Sequence, residues 1–151
     1  MSGLWGGHVA KGSRMTRRQE QLLRAAFLLG AITDALAVVP MLSPPMASLL
    51  WGFDEPTGPY RFAMGYAATL MLGWTGLLLW AYRFPRERAF VAPLTVFVIY
   101  GLALTELVIV LAGHISPWRM VPTWILQAGL LGLFATAYHY PSLASRPLTT
   151  D

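Results

Sequence analysis

The chain has 151 residues, of which 56% are hydrophobic and 12% charged, about half the charged fraction usual in soluble domains. The apolar residues fall in long blocks, as expected when lipid is the solvent for most of a chain, so one integral membrane domain with short polar ends is expected. Cysteine is absent, which excludes disulfides, thiolate nucleophiles and cysteine-ligated zinc or iron–sulfur clusters; the net charge of +4 is not gathered into a basic patch interleaved with aromatics, so no nucleic-acid surface is expected.

Residues 1–21 read as a polar, basic tail, and "TRRQEQLLRAAFLLG" (Thr16 to Gly30) leads into the first apolar block. The twin arginine there, with "ALA" at Ala35 to Ala37, loosely imitates an export signal. Asp34 inside the block and three further blocks downstream favour a retained helix. About 20 apolar residues suffice to cross a bilayer core, and four segments qualify: Leu22 to Leu42, Phe62 to Tyr82, Ala89 to Gly113, and Met120 to Tyr140. The expected fold is an all-α four-helix membrane bundle, followed by a tail over 141–151.

The first connection, Ser43 to Arg61, carries a second apolar piece, Met46 to Phe53, directly after Pro44 and Pro45. Eight residues cannot cross a membrane and the prolines break the preceding helix, so a short interfacial helix is expected, with Trp51 and Phe53 at headgroup depth. The competing reading is a lid over a cavity. The second and third connections, "RFPRER" (Arg83 to Arg88) and "HISPWR" (His114 to Arg119), are short and predict that spans two, three and four are antiparallel neighbours.

Charge sets the expected direction. Lys11, Arg14, Arg17, Arg18 and Arg24, with Arg83, Arg86, Arg88 and Arg146, make nine cations on one side, against Arg61 and Arg119 on the other. Both termini are therefore predicted to be cytoplasmic.

Small residues at steps of four allow helices to approach in lipid, where association gains nothing from hydrophobicity. Three such stripes are predicted contact faces: Ala26, Gly30 and Asp34 in span one; Gly65, Thr69 and Gly73 in span two; Ala128, Gly132 and Thr136 in span four.

Two carboxylates lie within spans. At a rise of about 1.5 Å per residue, Asp34 is about 15 Å from Arg24 and Glu106 about 25 Å from the start of span three, which separates them by about 10 Å in depth. Neither has a lysine or arginine at its own depth. An acid buried without a countercharge is expected to be neutral or hydrogen-bonded to neutral donors. Tyr100, Trp74 and Thr75 are the candidates for Asp34, and Tyr66, Thr69 and Gln127 for Glu106. Asp34, Glu106, Tyr100, Gln127, Thr69 and Tyr66 form the predicted polar intramembrane site.

Intramembrane acids commonly mark function. The structural alternative, a cross-helix hydrogen bond, contributes only about 0.6–2 kcal/mol and barely recovers the about 2.5–3.5 kcal/mol that inserting Asp at mid-membrane costs, which favours a functional role for Asp34. His114 and His139 fall at opposite faces, and no metal or cofactor motif is present, so neither is expected. The first functional expectation is a non-enzymatic membrane binding or accessory protein, with the bilayer, an apolar ligand, a second copy or a larger membrane complex as partners. A proton-linked small transporter working as an oligomer is the alternative. An intramembrane enzyme acting on a lipid, sterol or quinone, with Asp34 or Glu106 as acid or base, is a third.

Overall fold

The computed structural model describes residues 15–52 and 57–144, the last five of them by backbone alone. Most of the amino-terminal tail, Phe53 and Arg146 lie outside the described residues. Within them the chain is all-helical: α1 (Arg17–Leu42), α2 (Pro44–Trp51), α3 (Gly58–Arg83), α4 (Val91–Leu111) and α5 (Pro117–Ala144). Four of these helices, α1, α3, α4 and α5, are long and apolar enough to span a membrane. The four-helix membrane bundle expected from the sequence, with one short helix between its first two spans, is what forms.

Local chemistry sets the helix ends. Thr16 Oγ1 accepts the Gln19 amide at 3.2 Å, and Glu20 lies in the first turn of α1, where a negative charge meets free amides. α1 thus starts five residues ahead of the apolar run. Pro44 and Pro45 occupy the first positions of α2, where a missing amide costs nothing. α2 closes on Gly52 at φ 78°, and a Cβ there would lie 2.7 Å from the Arg119 guanidinium. Arg119 caps this helix end, donating to the Ser48 and Leu49 carbonyls at 3.4 and 3.5 Å and tying α2 to the start of α5. In the turn after α3, Arg88 stacks 3.2 Å above the Trp80 ring and donates to the Trp80 carbonyl at 2.8 Å.

α1 is the hub. It packs most extensively on α3 and also on α5, α4 packs on α5, and α3 scarcely touches α4. This departs from the expected row of neighbours: spans three and four do pair, but span two lies against span one. The "RFPRER" turn joins α3 and α4 at one end and lets them diverge beyond it.

At that end the bundle is tightly filled. Leu23, Phe27, Leu78, Val91 and Phe134 are fully buried, and the Phe27 and Phe134 rings meet at 5.9 Å. Glu20 accepts from Arg24 at 3.1 Å and from Arg86 at 2.7 Å, and Gln19 donates to the Tyr138 carbonyl at 3.5 Å. The start of α1, the α3–α4 turn and the end of α5 therefore share one basic end.

Of the three small-residue stripes, one makes the expected contact. Gly30 is buried, and a Cβ on it would stand 3.2 Å from both Leu78 and Phe134. The other two point away from the bundle. A Cβ at Gly65, Gly73 or Gly132 would meet nothing within 4 Å, and Thr69, Ala128 and Thr136 are exposed. α3 instead buries Ala68, Leu78 and Ala81, and α5 buries Gln127, Phe134 and Ala137, with Leu78 and Phe134 standing opposite Gly30.

Candidate functional site

Beyond the filled end, the divergence of α3 and α4 leaves an open cavity of about 420 Å³ lined by all four spans. Gly30, Asp34 and Met41 line it from α1, and Trp74 and Leu78 from α3; Thr95 and Ile99 line it from α4, and Phe134 from α5. Leu78 and Phe134 form its floor over the packed core. Leu70 of α3 and Leu102 of α4 also line the cavity and are exposed, so the opening lies in the gap between these two helices.

The walls are apolar apart from three groups. The Thr95 hydroxyl donates to the Val91 carbonyl at 2.8 Å and so has its proton engaged. The Trp74 indole N–H is buried and has no acceptor among the described residues. Asp34 is partly buried, and among the described residues it has neither a hydrogen bond nor an ion pair. The helical turn that buries Gly30 carries Asp34, four residues later, to the cavity wall.

The donors expected for Asp34 do not reach it. Tyr100 is 64% exposed on the outer side of α4. The Thr75 hydroxyl is spent on the Met71 carbonyl of its own helix at 2.9 Å. Trp74 shares the cavity with Asp34 without bonding to it.

The second acid behaves differently. Glu106 Oε1 accepts from the Gln127 side-chain amide at 2.9 Å across the α4–α5 contact, and the Trp124 indole stands beside the same carboxylate. Glu106 Oε2 and Gln127 Oε1 are buried with no donor among the described residues. Tyr66 and Thr69, expected in this cluster, are not brought to it. Tyr66 is 65% exposed, and the Thr69 hydroxyl donates to the Gly65 carbonyl at 3.0 Å; both lie on the outward side of α3, which barely meets α4. The predicted site thus divides into a lone acid in a cavity and a closed acid–amide pair between two helices. Phe134 and Thr95, which shape the cavity, were not singled out by the sequence; a Phe in a membrane helix carries no mark separating floor from lipid contact.

Comparison with protein-family models, with curated proteins and with solved structures yields no match.

Proposed function

We propose that this is a non-enzymatic membrane binding protein that holds an apolar molecule between its four spans, with a polar atom of the ligand at Asp34. The observation that carries this reading is the Asp34 carboxyl, without a hydrogen bond or ion pair among the described residues, on the wall of an apolar cavity. A ligand entering between α3 and α4 would supply the Asp34 carboxyl with a polar partner and the apolar walls with packing contacts. The volume lies in the range of small-molecule sites, which are mostly apolar with a few placed polar groups.

The crowding of arginines at one end supports a cytoplasmic location for that end and both termini. The cavity then opens in the outer half of the bilayer, and α2 covers the outer end of the bundle. Because the chain has no cysteine, single-cysteine variants read this directly: Ser116→Cys is expected to react with an impermeant maleimide on intact cells, and Glu87→Cys only after permeabilisation. The reverse pattern contradicts the orientation.

Binding is tested by adding the host's neutral-lipid fraction to delipidated protein. The wild type is expected to gain several degrees in Tm, and Ala67→Phe, which places a ring in the cavity, is expected to gain nothing. Equal gains in both proteins contradict the site. An acid without a countercharge is also what a proton-coupled carrier requires. Substrate-driven proton uptake in liposomes, abolished by Asp34→Asn, would replace binding by transport.

A further inference from the structure

The contact between Glu106 of α4 and Gln127 of α5 is one donor short. Gln127 is only 8% exposed, and its side-chain amide donates to Glu106 Oε1 at 2.9 Å. Glu106 Oε2 and Gln127 Oε1 are both buried, and neither has a hydrogen bond among the described residues. The Trp124 indole stands beside the carboxylate, yet Oε2 is still left without a bond. Two orphaned acceptors therefore flank a bond that is already made, and a buried acceptor without a donor is costly.

The chemistry of the two side chains says what is missing. An ionised carboxylate only accepts, and so does the oxygen of an amide, so an ionised Glu106 offers the orphaned atoms nothing. A neutral carboxyl carries one O–H. With Oε1 engaged by the amide N–H, an O–H on Oε2 lies on the edge that a primary amide matches with its carbonyl. One proton thus serves both orphaned oxygens. It also removes a charge that has no ion pair among the described residues and that a span accommodates poorly. A bridging water donating to both oxygens would leave that charge in place and needs room, and neither residue lines the cavity.

We propose that Glu106 and Gln127 form a proton-binding site, in which Glu106 Oε2 holds a proton at neutral pH and donates it to Gln127 Oε1, so that two hydrogen bonds latch α4 to α5. Because α4 packs on α5 and scarcely on α3, this proton bears on how firmly α4 is held. The groups of α5 that face Glu106, Gln127 and Trp124, do not titrate. Arg119, at the start of α5, is engaged with the Ser48 and Leu49 carbonyls. On α3, Arg61 and Arg83 lie near the two ends and Tyr66 is exposed. Asp34 is the other acid within the spans, so the readouts must separate Asp from Glu.

The test is infrared spectroscopy of the full chain in bilayers at neutral pH, with either the Glu or the Asp carboxyls labelled with carbon-13. Glu20 is paired with two arginines and Glu87 is exposed, so neither supplies a neutral carboxyl, and Glu55 is replaced by Gln in every sample. A neutral-carboxyl band that moves on Glu labelling is expected, and Glu106→Gln should lose it. That variant exchanges the O–H for an amide N–H and keeps both hydrogen bonds with nothing to titrate. Unfolding in mixed micelles gives a second readout. Relative to Glu106→Gln, the folded-to-unfolded ratio of the wild type should fall about tenfold per pH unit above about pH 5, because the folded pair keeps a proton that the unfolded chain has released. Glu106→Leu, which strands the Gln127 amide, should be less stable than Glu106→Gln throughout. Absence of a Glu-dependent neutral band from the wild type overturns the proposal whether or not the variants fold, and is the result expected of an ionised Glu106 bridged by water. A ratio to Glu106→Gln that does not change with pH overturns it equally, as does a Leu variant as stable as the Gln variant.

Discussion

Glu106 and Gln127 show how an acid can be paired between two apolar helices. Their 2.9 Å hydrogen bond joins α4 to α5, yet each keeps one buried oxygen without a donor. Removing one partner strands the other. Gln127→Leu is expected to destabilise the bundle by about 1–3 kcal/mol, whereas the double change Glu106→Leu with Gln127→Leu should fall close to the wild type, because both desolvation costs disappear together. Unfolding in mixed micelles measures the cycle, and additive losses in the double variant would contradict a mutually dependent pair. This pair was legible in the sequence: the short α4–α5 turn makes the two helices neighbours, and counting residues matches their heights. Tyr66, Thr69 and Tyr100 share heights with the acids but not directions. Residue counting gives depth along a helix and says nothing of how that helix is rotated.

The same loss of rotational information governs the elements. In water an apolar stripe marks the face that turns inward, but here lipid lies outside and both faces are apolar. α4 shows this most plainly, with Phe97, Leu104 and Leu111 all more than half exposed. Small-residue stripes were the remaining clue, and they located the inward face of α1 while misplacing those of α3 and α5. The difference is measurable. Gly30→Leu forces atoms into a space already bounded by Leu78 and Phe134 at 3.2 Å and is expected to cost about 1–3 kcal/mol. Gly65→Leu, with open space around it, should stay within about 0.5 kcal/mol of the wild type. Comparable losses at both positions would place α3 the other way round. The break at Pro44 and Pro45 was readable from the sequence, since proline acts on the backbone directly. The Arg119 cap on α2 was not, because it spans some 70 residues of sequence.

At the scale of the whole molecule, the bundle is closed at its basic end and open beyond it. α1 holds α3 and α5, the "RFPRER" turn pins α3 to α4, and the divergence of those two helices creates the cavity on whose wall Asp34 stands. The number of spans and the gathering of charge at one end followed from composition and spacing. The cavity did not, because it depends on which pair of helices fails to meet. Its proposed function as a binding site is tested most directly by native mass spectrometry of the protein released from membranes of its own host. The wild type should carry a noncovalent adduct of a few hundred daltons, present at one per chain and absent from a folded Ala67→Phe variant. A wild-type spectrum without any such adduct, or one that the filled variant reproduces, would contradict the site at Asp34.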